Sequence, residues 1–297
     1  MTEPAAAWVE GVEAPLMGGI ARVGSLELTL RGLDLAGGIR WDWSLRNAGP
    51  SALALNRVGL QLPATPARVL EHGWQSWSPV RSCAPGDARP GRRAAPRWVA
   101  SMLLAEGEVA GSSVRGDQFL VSDIGVVGSL GGAHHLTTIE CPTRARGLTA
   151  WALLDGVALP PGAEIRLDPL WIADGDPGRL YSAYAGIWGD AAGARQRTPS
   201  ESGWCSWYQY YGNLDPVAIR ANLEIAAEHD LRVLQIDDGY QRSLGEWLSV
   251  KAGWGPMSEL AKEIRDQDLR PGIWTAPFLV AADAPVARDH PDWLLRR

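Results

Sequence analysis

The sequence has 297 residues, 46% hydrophobic and 21% charged, which is typical of a soluble globular protein of one large or two ordinary domains. This composition excludes disorder, collagen and coiled coil. The net charge of −6, without a basic stripe, argues against nucleic acid as a partner. Tryptophan is abundant, with 15 residues against 2 phenylalanines and 6 tyrosines, and its flat ring stacks well on sugar rings.

Location and metal binding are also constrained by the composition. Residues 1–18 contain acidic but no basic residues, unlike a signal peptide, and no run approaches the roughly 18 apolar residues of a membrane span. The sequence therefore predicts a cytoplasmic protein without a membrane partner. Cys83, Cys141 and Cys205 are an odd number and predict reduced thiols. The five histidines have no metal-binding spacing, so neither a metal nor a cofactor is predicted.

The first part of the chain has the pattern of β-strands. Ile39, Trp41, Trp43 and Leu45 alternate with polar residues, as a half-buried strand requires. Similar short runs between about residues 20 and 175 are separated by clusters of Gly, Pro, Asn or Asp. Many short strands with such turns predict an antiparallel β-sandwich domain over residues 1–175.

The pattern changes near residue 176. Asp176 followed by Pro177 is typical of a helix start, and a helix is predicted to Trp188. A polar stretch follows, so residues 176–202 are interpreted as a helical linker.

From residue 203 onward, predicted strands alternate with helices. The strands are expected over 203–208, 233–236 and 271–275. The apolar faces of the two intervening helices are predicted to contain Ile219, Leu223 and Ala226 in one, and Met257, Leu260, Ala261 and Ile264 in the other. Successive βα units predict a parallel sheet, either doubly wound or the start of a (β/α)8 barrel.

Candidate ligand-binding residues follow the carboxyl ends of these strands, where parallel sheets bind ligands. They are Trp207 and Tyr208, then Asp237 and Asp238, then Trp274. Adjacent carboxylates need compensation, which sugar hydroxyls provide by donating to them. The alternative interpretation of the two aspartates is a turn followed by a helix cap.

Several other candidates also have a structural alternative. Trp207 and Trp274 suit a core position as well as a binding wall. Trp74 and Trp77 suit packing between the two sheets of the sandwich. Cys205 is interpreted as a small buried filler.

The motifs together resemble the α-galactosidases of glycoside hydrolase family 36. The segments that carry the resemblance are GWCSWY at 203–208, QIDDGYQ at 235–241, PGIWTAPF at 271–278, HPDW at 290–293 and GWQSW at 73–77. The resemblance implies that Asp237 and Asp238 bind the axial 4-hydroxyl and the 6-hydroxyl of galactose. It also implies that Trp207, Tyr208 and Trp274 shape the sugar subsite. Trp77 of the sandwich is implied to reach across to the same subsite.

The sequence departs from this family at the reaction centre. These retaining enzymes use two carboxylates about 5–5.5 Å apart, and the nucleophile is the Asp of a Lys-x-Asp motif. Neither Lys251 nor Lys262 is followed by such an Asp, so no catalytic residue is assigned. The resemblance implies an N-terminal antiparallel β-sandwich followed by a truncated (β/α)8 TIM barrel of about three βα units over residues 203–297.

The expected function is retaining hydrolysis of terminal α-linked galactose from oligosaccharides, with the fragment inactive alone. An open sheet leaves an unpaired edge and uncovered apolar faces, so a protease-sensitive fragment that does not bind galactose is favoured over a binding remnant. The alternatives left open are galactosyl transfer of the raffinose-synthase type, hydrolysis of N-acetylgalactosamine, and a non-catalytic sugar-binding remnant. The oligomeric state is not assigned.

Overall fold

The computed structural model describes residues 3–74, 78, 80–87, 113–142, 147–195 and 201–295. The chain divides into two compact units, Met1–Arg195 and Gln196–Arg297. The domain bounds expected at residues 175 and 202 stay predictions.

The first unit contains two antiparallel β-sheets, consistent with the predicted β-sandwich. The strands of one sheet, in spatial order, are β2 (Val12–Pro15), β1 (Ala6–Val9), β6 (Leu53–Leu62), β13 (Leu148–Leu159), β12 (Leu136–Pro142) and β9 (Ser113–Asp117). The strands of the other are β3 (Ile20–Val23), β4 (Leu26–Leu35), β5 (Gly38–Asn47), β15 (Leu170–Asp174), β11 (Gly125–Ser129), β10 (Phe119–Ser122), β7 (Val69–Glu71) and β8 (Arg81–Cys83), with β14 (Glu164–Arg166) also paired to β5.

The core of this unit contains residues from both sheets. Leu28 and Leu45 of one sheet and Val58 and Leu60 of the other are almost completely buried in a single cluster. The strand predicted around Trp43 is confirmed as β5, and Trp43 and Leu45 are buried while Arg46 is exposed. The predicted alternation is only partial, because Ser44 is also buried and residues 38–42 are all half-buried. The sheets also extend further toward the amino terminus than predicted, since β1 and β2 precede residue 20.

The helix predicted after residue 176 is confirmed as α1 (Pro177–Ala191), with Asp176 as its N-cap. The Asp176 side chain accepts a hydrogen bond from the amide of Arg179. The helix belongs to the first unit and packs on its β-sheet through Tyr184, whose hydroxyl donates to the carbonyl of Ser129 at 2.7 Å. Burial and, to a smaller extent, the neighbouring Tyr181 raise the pKa of Tyr184.

The second unit is built on a parallel sheet with the spatial order β16 (Gly203–Cys205), β17 (Val233–Ile236) and β18 (Arg270–Ile273). Its helices are α2 (Trp207–Tyr210), α3 (Pro216–Glu228), α4 (Met257–Asp266), α5 (Pro285–Asp289) and a 3-10 turn at Pro291–Trp293.

The helices that connect the strands bury the faces expected from the sequence. In α3, Ile219, Leu223 and Ala226 are buried, and the preceding Asp215 caps the helix. In α4, Leu260 and Ile264 are buried, and Met257 and Ala261 are half-buried. Within the described ranges, no helix has the length and apolar character that crossing a membrane requires.

Candidate functional site

The carboxyl ends of the three parallel strands meet at one edge of the sheet. Cys205 lies opposite Gln235, which lies opposite Gly272. Asp237 and Trp274, each two residues further on, therefore leave neighbouring strands at the same edge. The sheet register thus brings two of the predicted site residues to one place.

The carboxylate of Asp237 is held by its neighbours. Its Oδ2 accepts hydrogen bonds from Gln235 Nε2 at 2.9 Å and from the Cys205 thiol at 3.3 Å. Its Oδ1 accepts from the amide of Asp238, and its own amide donates to Ser206 Oγ, both at 2.9 Å. Only 8% of the residue is exposed, so these donors compensate the cost of burying the charge and fix its orientation.

Asp238 is held more loosely and is more accessible. Its Oδ1 accepts a 2.6 Å hydrogen bond from Gln241 Nε2, and Gln241 Oε1 in turn accepts from the amide of Gly239 at 3.0 Å. The side chain is half-buried, and its Oδ2 has no hydrogen bond to any residue that the structure describes. Asp238 therefore has an oxygen without a protein donor, whereas both oxygens of Asp237 already accept hydrogen bonds and keep only their remaining lone pairs for a ligand.

Tyr240 joins this turn to the end of the third strand. Its ring is completely buried, and its hydroxyl donates to the carbonyl of Trp274 at 3.2 Å. Burial, and then the nearby charge of Asp238, raise the pKa of the Tyr240 phenol. The half-buried Trp274 ring meets Trp247 edge to face, with centroids 5.8 Å apart. Trp274 therefore has a fixed backbone and a partly open ring.

The strand expected through Tyr208 is wrong beyond Cys205, because the short helix α2 begins at Trp207. The amide of Tyr210 donates back to the carbonyl of Ser206 at 3.0 Å and closes the turn. Tyr208 is 84% exposed, whereas the half-buried Trp207 packs edge to face on Tyr211. The described contacts do not join these two aromatics to the aspartates.

The two aromatic candidates of the first unit, Trp74 and Trp77, are not placed beside the aspartates by any described contact. Trp77 lies outside the described residues. Trp74 is 59% exposed, so the alternative that it packs between the sheets is wrong for this residue. Its amide donates to Oδ2 of the buried Asp117, whose Oδ1 accepts from Thr138 Oγ1, both at 3.0 Å. A polar contact, rather than sheet packing, holds the backbone at Trp74.

Four residues that hold the aspartates were missed or misread in the sequence. Cys205 is half-buried and donates to Asp237, so its interpretation as a simple buried filler is wrong. Burial, and the contact with Asp237, raise the pKa of its thiol. Gln235 lies two residues before Asp237, and the period of a strand places both on one face. Ser206 and Gln241 gave no comparable signal.

Among the described residues, no group of three or more His, Cys, Asp or Glu side chains is arranged to hold a metal ion.

Comparisons with known proteins point to one enzyme family. The family model for melibiase matches residues 205–297. α-Galactosidase AgaA of Geobacillus stearothermophilus is 29% identical over 98 residues, which are 30% of this chain and 13% of that protein. The bifunctional α-galactosidase/sucrose kinase of Mediterraneibacter gnavus is 30% identical over 100 residues, 31% of this chain and 11% of that protein.

Solved structures extend the similarity to both units. An α-galactosidase from Thermus thermophilus, in complex with stachyose, matches 97% of this chain and 55% of its own at 26% identity, with a TM-score of 0.64. The structure of AgaA matches 92% of this chain and 40% of its own at 21% identity and a TM-score of 0.59, a likeness of fold alone. The chain thus spans about half the length of its structural relatives. These matches confirm the resemblance to the α-galactosidases of glycoside hydrolase family 36, a family of glycoside hydrolases.

Proposed function

We propose that this chain supplies the galactose-binding part of an α-galactosidase that removes terminal α-linked galactose from oligosaccharides with retention of configuration. The observation that carries the proposal is the pair Asp237 and Asp238 at the carboxyl end of β17. One carboxylate is buried and held by three donors, while the other keeps an accessible oxygen. A rigid acceptor pair of this kind suits the hydroxyls of a sugar.

The proposed roles follow the family resemblance. Asp237 and Asp238 accept from the 4-hydroxyl and 6-hydroxyl of galactose, and Trp274 lines the apolar face of the ring. The half-buried ring of Trp274 and its place beside Asp237 support its role. Trp207 and Tyr208 contribute the wall after β16, and the exposure of Tyr208 is compatible with ligand contact. Trp77 is proposed as the contribution of the sandwich.

The second unit is proposed as the first part of a (β/α)8 barrel. Parallel strands in sequential order with connecting helices support this. So does an apolar groove of about 330 Å³ between α4 and β18, lined by Ile236, Leu260, Ile264 and Ile273 among others. In a closed barrel this groove is covered by the next βα unit. The hydrogen bonds around Asp237 support a subsite that is already formed, in place of the non-binding fragment favoured from the sequence.

The chain alone is proposed to bind without hydrolysing. The sequence contains no Lys-x-Asp motif, and a retaining glycosidase needs a nucleophile and an acid/base. The substrates proposed are α-galactosides such as stachyose and raffinose, which are bound in solved complexes of related enzymes. A cytoplasmic location is proposed as well, supported by the free cysteines Cys83, Cys141 and Cys205.

The experiment that tests hydrolysis uses the purified chain and an aryl α-galactoside. No release of the aryl group above background is expected. Turnover that disappears in the Asp237→Asn variant but persists in Asp268→Asn, an exposed turn residue of the same unit, would contradict the proposal. Transfer of galactose to an added acceptor sugar, with the same dependence on Asp237, would instead support the transferase alternative.

A further inference from the structure

A polar cavity of about 630 Å³ lies on the sandwich, far along the sequence from the aspartate pair. Across three strands, Thr29 of β4 pairs with Ser44 of β5, which also pairs with Arg166 of β14. In the next row, Arg31 lies opposite Asp42. Because paired residues share a face of a sheet, these polar side chains line the same side, while the alternate residues face the core.

The base of the cavity contains a buried carboxylate with incomplete hydrogen bonding. Asp168 lines the cavity and is 5% exposed, and its Oδ2 has no hydrogen-bond partner within the described ranges. His135 Nε2 lies 3.8 Å from this oxygen, beyond hydrogen-bond distance. That nitrogen already accepts from the amide of Asp168 at 2.9 Å, so in this arrangement it has no proton to donate to Oδ2. A buried acceptor in this state favours a ligand that brings a donor.

The walls of the cavity carry equal numbers of positively and negatively charged side chains. Arg31 and Arg166 are exposed, and neither forms an ion pair with a described residue, whereas Arg40 pairs with Asp42 at 2.8 Å. The charged residues that line the cavity are Arg31, Arg40, Arg166, Asp42, Glu164 and Asp168. Three guanidinium groups and three carboxylates balance, so the cavity favours a neutral polar ligand over an anion.

We propose that this cavity is a second saccharide-binding site, separate from the aspartate pair at β17. Sugar hydroxyls both donate and accept, so a short saccharide can accept from Arg31 and Arg166 and donate to the carboxylates that line the cavity. The cavity volume is within the usual range of small-ligand pockets and accommodates a short oligosaccharide. The choice of an α-galactoside as the probe rests on the proposed function, but the site itself does not.

Hydrogen–deuterium exchange of the full chain, with and without stachyose, tests this proposal because it reports each region separately. Stachyose is expected to slow exchange in peptides covering residues 130–136 and 163–169. The Arg166→Gln variant is expected to need at least about tenfold more stachyose for the same protection, because it removes charge-assisted hydrogen bonds. The matched control is Arg179→Gln, which changes an exposed arginine of α1 that does not line the cavity and should leave the effect unchanged.

A second variant, Asp168→Asn, keeps the shape of the buried side chain and should also weaken the effect. Unchanged protection in Arg166→Gln would overturn the proposal, as would the absence of protection by stachyose in these peptides. Protection by inorganic phosphate in place of stachyose would identify an anion site and overturn the saccharide assignment. The proposed function fails separately, because it concerns protection of residues 235–241, which Asp238→Asn should remove without affecting the sandwich peptides.

Discussion

The turn that carries the two aspartates depends on a close approach between two backbone segments, and Gly239→Ala tests it. Gly239 has a φ of +120°, and a Cβ added there would lie 2.7 Å from the carbonyl oxygen of Gly212 and 2.9 Å from its Cα. Backbone atoms cannot move aside as a flexible side chain does. Conformational strain of roughly 1–3 kcal/mol and overpacking of roughly 1–3 kcal/mol together predict a loss of about 2–6 kcal/mol in the free energy of unfolding.

The matched control is Gly253→Ala in the same unit. Gly253 also has a positive φ, of +88°, but nothing lies within 4 Å of an added Cβ, so only the backbone strain of about 1–2 kcal/mol applies. Equilibrium urea unfolding, followed by tryptophan fluorescence and near-ultraviolet circular dichroism, measures both variants. A Gly239→Ala cost within about 0.5 kcal/mol of the Gly253→Ala cost would refute the reasoning, because additional overpacking predicts a larger difference.

Further predictions concern packing in the sandwich unit and the chemistry of the site. Gly128→Ala should destabilise the first unit by about 1–3 kcal/mol, because the added Cβ would overlap the Tyr184 ring. Gly186→Ala, where nothing lies within 4 Å of the added Cβ, should be neutral or stabilising in the helix α1. Thermal unfolding of both variants measures the difference. Asp237→Asn removes a charge that raises the pKa of Cys205, so the thiolate fraction at pH 8 and the alkylation rate of Cys205 should rise. Peptide mass spectrometry after iodoacetamide treatment measures that rate, and an unchanged rate would contradict the assigned contact.

Local patterns were sufficient to predict the elements that position the site. The stripe of Ile219, Leu223 and Ala226 and the Asp215 cap predicted α3, and all three apolar residues are buried. These signals depend only on the period of a helix and on the chemistry of its first turn. The alternation that predicted β5 is local in the same way.

The environment of the aspartates could not be predicted by the same means. The contact of Cys205 with Asp237 joins residues 32 positions apart and depends on the register between β16 and β17. The hydrogen bond from Gln241 to Asp238 depends on how the turn closes, which residue types alone do not determine. Trp207 was expected to continue a strand because its local propensity is compatible with one, whereas hydrogen bonds of the following turn favour a helix.

The aromatic excess alone did not identify the binding residues. Trp43 and Trp171 are buried in the sandwich unit, whereas Trp274 is half-buried and lies beside the aspartate turn. Composition therefore suggested a sugar ligand, whereas the binding of ligands at the carboxyl ends of parallel strands predicted the place.

The most direct test of the central claim is a calorimetric titration of the chain with methyl α-galactoside and with methyl α-glucoside, which differ only in the orientation of the 4-hydroxyl. If Asp237 and Asp238 hold the axial 4-hydroxyl and the 6-hydroxyl, the galactoside should bind at least about tenfold more tightly. The preference should be lost in Asp238→Asn and kept in the surface control Asp268→Asn. Equal affinity for the two sugars, or no measurable binding of the galactoside, would contradict the account.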